Sequence, residues 1–302
     1  MSFEERAQVM GLSNLGGGCF YYIDRYGEVV YRILTTMSSS NFSEELSFLN
    51  DLNNFRVPYL ALFTRKRRDV HFKLVAILSD LYKFIGNDTL NQQIRDSVAE
   101  TGNPILVELP VFSSNFTQMY NMITIQHPSN VPRVGDIFPT LIVRNSYNGT
   151  RRATIEFGLS MSEVDGLSTR WVGFGFRTKL GTIFQVHVDS SKTFISTAVG
   201  VYVSTFSQNI VSLVEDNFNN SLSEDDVLRV LDLVEEIGKR RREGISSILE
   251  ELSGSSATTS SWNMFLAITR FSSREKNLNA KVLLENIAER VLIVPNQMIS
   301  LV

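Results

Sequence analysis

The chain has 302 residues, enough to bury a large core as one large domain or two, and its 20% charged content excludes wholesale disorder. A net charge of -3 excludes attraction to nucleic acid through overall charge, so any such contact needs local patches. The single cysteine, Cys19, excludes an internal disulfide framework and suits a reducing compartment.

Residues 1–40 read as a short helix, a Gly16-Gly17-Gly18 loop and a hairpin, with strands Cys19 to Asp24 and Glu28 to Met37 turning at Arg25-Tyr26-Gly27. No Gly-Lys-Ser/Thr follows the three glycines, so they read as a linker rather than a phosphate loop. Ser38 to Phe42 is a polar linker and Ser43 to Asn53 a short helix. Tyr59 to Thr64 and Val70 to Leu78 are strands joined by the basic turn Arg65-Lys66-Arg67-Arg68-Asp69. The pattern predicts a helix over Asp88 to Glu100, capped by Asp88 and ended by Gly102-Asn103-Pro104.

Ile105 to Val111 and Phe116 to Gln126 are further strands, followed by the Val134-Gly135-Asp136 turn. Ile137 to Val143 and Ala153 to Leu159 flank Arg144-Asn145-Ser146-Tyr147-Asn148-Gly149-Thr150, where Asn-Gly gives a strong hairpin signal. Trp171 to Arg177 and Thr182 to Val188 add strand character, and from Thr193 the pattern changes. Ser223 and Asp226 have capping-box spacing, and Val227, Val230, Leu231, Val234 and Ile237 then recur at helical spacing. Ile245, Ile248, Leu249 and Leu252 form another apolar stripe, and Gly254 to Ser261 a linker. Trp262 to Phe271 is a short helix, and Leu284, Ile287, Ala288, Val291 and Leu292 mark a final amphipathic helix.

The fold class is therefore α+β: a mainly antiparallel β-sheet body with a helical C-terminal third. The elements divide into an N-terminal segment over 1–40, a β-rich α+β body over 41–220 and a helical region over 221–302. No apolar run approaches the roughly 18–20 residues of a membrane span. Met1 to Gly11 carries Glu4, Glu5 and Arg6 in place of an apolar leader core. The chain reads as soluble and intracellular.

The three histidines, His71, His127 and His187, lack the spacing of metal ligands, and neither His-Glu-x-x-His nor Gly-x-Ser-x-Gly occurs. No catalytic set, metal site or cofactor is expected. A metal-dependent nuclease would have to use carboxylates such as Asp136 and Glu156 across the sheet. Acidic clusters at Glu224-Asp225-Asp226, Glu235-Glu236 and Glu250-Glu251 read as a helix start and solvated faces. Lys239-Arg240-Arg241-Arg242 complements a helix C-terminus.

The other basic residues are more suggestive. Between Arg56 and Arg95 eight Lys/Arg stand against three acids, and between Arg133 and Lys179 seven stand against four. Cations track a phosphate backbone and aromatic rings stack on bases without reading sequence. The candidate phosphate ligands are Arg65, Lys66, Arg67, Arg68, Lys73, Arg144, Arg151 and Arg152, with Tyr82 and Tyr147 as stacking rings.

Three stretches, in order, resemble a phage- and plasmid-related family known only as a domain of unknown function. Ala76 to Lys83 with Asn87 and Leu90 is similar to the family's Ser-x-x-Tyr, Asn, Leu pattern. Val134-Gly135-Asp136 leading into Leu141 to Thr150 is similar to its Gly-Asp and Asn-Ser-x-Asp-Gly core, with Asn148 standing where the family has Asp. Thr259 to Asn263 through Thr269 resembles its Trp-containing C-terminal helix. The resemblance implies a phage or mobile-element origin, and so a host-cytoplasm setting, and brings no established catalytic residues.

The expectation is a phage-encoded, non-enzymatic nucleic-acid-binding protein, a single-strand DNA annealing or recombination factor that forms a homo-oligomer through its helical third. The alternative is a virion or assembly protein acting by self-association. A metal-dependent nuclease comes third.

Overall fold

The computed structural model describes residues 5, 7–8, 11–16, 19–24, 27–33, 59–66, 73–79, 84–113, 116–150, 153–165, 168–176, 182–184, 188–237, 248 and 259–293. The expected helix at Ser43 to Asn53, the residues His71 and His187 and the run Lys239 to Arg242 lie outside them.

Five strands form an antiparallel meander: β1 (Ser13–Gly16), β2 (Cys19–Asp24), β3 (Gly27–Ile33), β4 (Tyr59–Lys66) and β5 (Lys73–Ser79). A second antiparallel sheet contains β6 (Ile105–Phe112), β7 (Gln118–Ile125), β8 (Ser129–Val131), β9 (Gly135–Ser146), β10 (Thr154–Asp165), β11 (Ser168–Phe176) and β12 (Thr182–Phe184). Its order is β11-β10-β9-β7-β6, with β12 on β10 and β8 on β9. The helices are α1 (Asn87–Glu100), α2 (Val188–Asn219), α3 (Glu224–Ile237), α4 (Ser261–Arg274) and α5 (Leu278–Ile293). The fold class is α+β, as the alternation of apolar residues implies.

Alternate residues along a strand face opposite sides. One face of the second sheet contributes Ile123, Leu141, Val143, Ile155, Phe157, Leu159 and Phe174 to the main core. Leu90 and Ile94 of α1, Val199 and Phe206 of α2, and Phe265 and Ile268 of α4 pack into the same core. All five residues of the expected final stripe, Leu284, Ile287, Ala288, Val291 and Leu292, are buried there. The opposite face curls inward. A Cβ on Gly173 of β11 would sit 1.8 Å from Met122 Sδ of β7, two strands beyond its neighbour, so a larger residue there would have to displace the methionine side chain.

Helix α1 starts one residue before the expected range, and its N-cap is Gly86, which offers no side-chain hydrogen bond. Asp88 lies inside the first turn and is not the cap; there it still complements the helix dipole. At α3 the expected capping box is in place: Ser223 Oγ accepts from Asp226 N at 3.2 Å, and Ser223 N donates to Asp226 Oδ2 at 3.3 Å. The helical part begins at Val188, where the sequence pattern gave no helix. No helix among the described residues is long and apolar enough to cross a membrane.

The meander joins the second sheet through a smaller core of Phe20, Val29, Tyr31, Leu60, Leu62, Phe84, Phe116 and Tyr147. Its centre is aromatic: Phe84 stacks on Tyr147 at 5.3 Å and meets Tyr31 edge-on at 5.4 Å.

Candidate functional site

The hairpin phrase that dominates the sequence lies at the joint between the two sheets. Strands β9 and β10 pair as expected, up to Arg144↔Thr154. Among the described residues Asn145 and Ser146 pair with β7, at Met119 and Gln118. Asn145 Nδ2 donates to Ile85 O at 2.8 Å and to Asn87 Oδ1 at 2.9 Å, which fixes the start of α1. Tyr147 Oη accepts from Asn87 N at 2.9 Å, and Tyr31 Oη donates to Tyr147 O at 3.3 Å. Tyr147 is 1% exposed, so it is no stacking platform for a base; its ring belongs to the core between the sheets.

Arg144 also points inward. Its guanidinium donates to Glu156 Oε1 at 2.9 Å and to Glu285 Oε2 at 2.6 Å. Its side chain is 6% exposed, and those of the two glutamates 3% and 2%. Tyr120 Oη donates to Glu285 Oε1 at 2.7 Å, while Lys281 Nζ lies 3.6 Å from the same oxygen and donates to Ser272 O at 3.2 Å. Arg144 and Lys281 both approach the Tyr120 ring, at 5.5 and 5.1 Å from its centroid. Two cations face two carboxylates, and the cluster is neutral as a whole. Space for it comes from Gly175, where a Cβ would lie 2.9 Å from Glu156 Oε2.

Burial raises the Tyr120 hydroxyl well above the ordinary tyrosine range, and Glu285 raises it further. For Arg144 burial works against the charged form, but Glu285 and Glu156 outweigh it and leave the guanidinium raised. Tyr202 of α2 is buried as well, and burial holds its hydroxyl protonated despite its backbone contacts with Thr140 and Gly158.

The expectation that Arg144 holds a phosphate is corrected by this geometry: a guanidinium closed between two buried carboxylates offers nothing to solvent. Arg65 is half-buried and pairs with Glu28, with Nε at 3.0 Å from Oε2. Arg95, part of the basic stretch, is clamped by both oxygens of Glu108, at 3.0 and 2.8 Å. Lys73, the first residue of β5, is exposed. Lys66 ends β4. Arg67, Arg68, Tyr82, Arg151 and Arg152 lie outside the described residues.

The carboxylates of the nuclease alternative do not meet. Asp136 is exposed and accepts from Asn130 Nδ2 at 2.9 Å, whereas Glu156 pairs in register with Ile142. Six strand positions separate Asp136 from Ile142, about 20 Å at about 3.3 Å per residue. Among the described residues no group of three or more His, Cys, Asp or Glu could hold a metal ion.

Sequence reasoning missed Tyr120, Lys281 and Glu285. A signal existed on α5: Lys281, Glu285 and Glu289 recur every four residues beside the apolar stripe, and all three are buried. Charges in that pattern on a packed helix need partners from the facing sheet.

On the surface, α2 lines a groove of about 640 Å³ with Phe194, Ala198, Val201, Thr205, Gln208 and Asn209. Phe194 is 61% exposed and Val201 58%. No family model, curated protein or solved structure matches this chain.

Proposed function

We propose that the chain is a non-catalytic protein that acts by self-association, as a structural or assembly component. The observation that supports this reading is the α2 groove. Phe194 and Val201 are seven residues apart, two helical turns, and so share one face with both side chains largely in water. Isolated exposed apolar residues are ordinary, but a large aromatic and a β-branched residue on one groove, rimmed by Thr197, Thr205, Gln208 and Asn209, have the make-up of an interaction surface. The buried ion-pair cluster around Arg144 is neutral as a whole, which supports a packing role for it. A phage or plasmid setting, suggested by the motif order, suits an assembly role. Light scattering on the intact protein tests the reading: wild type forms a defined oligomer, and Phe194→Asp with Val201→Asp lowers its mass while circular dichroism is unchanged. A wild-type monomer over the whole accessible concentration range contradicts it.

Nucleic-acid binding is the second reading, favoured by one specific feature. Lys66 and exposed Lys73 bound the segment that carries Arg67 and Arg68, the densest run of positive charge in the body. Under this reading Arg67→Glu with Arg68→Glu weakens binding of a labelled single-stranded oligonucleotide and flattens its salt dependence. Unchanged anisotropy in that variant removes the segment from consideration.

A further inference from the structure

The side chain of Asn148 sits in a hydrogen-bond arrangement that its role in a turn does not require. Its Oδ1 accepts from Ser146 Oγ at 2.5 Å, from Thr150 Oγ1 at 2.7 Å and from Thr150 N at 3.2 Å. Each hydroxyl is held in place. Gln118 Nε2 donates to Thr150 Oγ1 at 3.1 Å, which leaves that oxygen's own proton for Asn148 Oδ1 at 2.7 Å, nearer than Ser146 Oγ at 3.2 Å. Ser146 is 3% exposed and its backbone N donates to Asn145 Oδ1 at 2.9 Å. Asn148 Nδ2 donates to Thr117 Oγ1 at 3.3 Å, an acceptor on the opposite side of the amide. The next residue is Gly149, exposed and at φ 69°, a backbone region open to glycine without strain and closed to most side chains. Its amide makes no hydrogen bond among the described residues.

These parts match the needs of one reaction. Three donors converging on a carboxamide oxygen polarise its carbon and stabilise an oxyanion that develops there. A glycine amide on a residue without a Cβ, and with no partner among the described residues, is a little-hindered backbone nucleophile. We infer that Asn148 is a spontaneous modification site, at which the chain cyclises on itself and converts the asparagine to an acidic residue.

The step balances with water alone. The Gly149 backbone nitrogen loses its proton to solvent and attacks Asn148 Cγ, forming an N–C bond. The tetrahedral oxyanion on Oδ1 is held by Ser146, Thr150 Oγ1 and Thr150 N. It collapses, the Cγ–Nδ2 bond breaks, and ammonia leaves after taking up a proton, with the five-membered imide as product. Water then opens the imide at either carbonyl, giving aspartate, or isoaspartate with one extra methylene in the main chain. No oxidant, metal or cofactor takes part.

The consequence follows from where the loop sits. The neighbouring Tyr147 bonds α1 and the meander, so a longer main chain at residue 148 strains the joint between the two sheets. Either product also places a new negative charge three and four residues before Arg151 and Arg152. The loop thereby acts as a timer that changes both charge and geometry with the age of the protein.

The test is a time course of the full-length protein at neutral and mildly alkaline pH, with peptide mass spectrometry at Asn148 and enzymatic isoaspartate methylation as an independent readout. The same chain in urea is the reference for unassisted cyclisation, and 148–149 is the sole Asn-Gly pair in the sequence. The native chain converts faster than the unfolded one, and the rate rises with pH because the attacking amide must lose its proton. Ser146→Ala and Thr150→Val each slow native conversion about fivefold, the equivalent of one neutral hydrogen bond, and leave the rate in urea unchanged. Native conversion equal to or slower than that in urea overturns the inference: the same hydrogen bonds would then be locking the amide in its ground state. So does an unchanged native rate in both variants.

Discussion

Arg144 and Glu285 stand 141 residues apart in the chain and 2.6 Å apart in the fold. Bringing charges out of water is costly, and such a cluster is tolerated only when every charge finds a close partner. Removing one partner is worse than never having built the cluster, because the others stay buried and uncompensated. Arg144→Met is therefore expected to lower stability by about 3–5 kcal/mol, measured by urea denaturation. Arg144→Met combined with Glu156→Gln leaves Lys281 facing Glu285, neutral again, and is expected to recover part of that loss; a double variant no better than the single one would refute the charge argument. The two buried tyrosines give a pH signature. Burial raises Tyr120 and Tyr202, with Glu285 adding to the rise at Tyr120, so the folded protein keeps both protons longer than the unfolded chain does. The unfolded state loses them first as pH climbs past about 10, so stability falls from there upward. Tyr202→Phe is expected to reduce that slope in urea titrations at alkaline pH, and an identical slope would contradict the assignment. At residue level the sequence carried only the four-residue spacing of Lys281, Glu285 and Glu289, and not their partners. Arg144 beside an Asn-Gly turn looks like a surface base, and nothing local announces a carboxylate on a helix far along the chain.

Among the elements, those with a clear period were legible and those without one were not. Strands β2 to β7 and β9 to β12 follow from strand patterning, α3 and α5 from helical stripes, and α1 and α4 were legible as well. Helix α2 was hidden because Val, Thr and Ser fill it, residues with weak helix propensity or a preference for side-chain bonds to the backbone. Burial of Ile195, Val199, Tyr202, Phe206 and Ile210 against the sheet supplies what propensity withholds. Edge strand β6 carries a further device. Ser113 N donates to Gln118 O, so Val111 and Leu109 bond into β7 while Phe112, Pro110 and Glu108 turn their backbone groups outward. Pro110 has no N–H, which removes the middle donor from an edge where Leu106, Leu109 and Val111 are exposed. Pro110→Thr restores that donor and is expected to cause irreversible aggregation on warming, seen as turbidity below the wild-type onset. An unchanged onset would mean that the edge is protected by something other than the proline.

The described residues form two antiparallel sheets joined at an aromatic core, with helices over one face of the larger sheet and α5 also reaching Tyr120, Met122 and Ile142 on the other. The α+β class was legible because composition and periodicity carry it. The site was not, because its chemistry depends on which surface each element buries. Burial removes Arg144 and Tyr147 from the set of solvent-facing groups, and Glu28 and Glu108 neutralise Arg65 and Arg95. What remains is the basic run of the sequence that follows β4, and a groove along the longest described helix in which Phe194 and Val201 are exposed. Self-association through that groove is the central claim, and light scattering of the intact protein across concentration, with and without a single-stranded oligonucleotide, tests it most directly. The account predicts a defined oligomer whose mass ignores the oligonucleotide and falls in Phe194→Asp. A monomer that gains mass only when the oligonucleotide is added would contradict it.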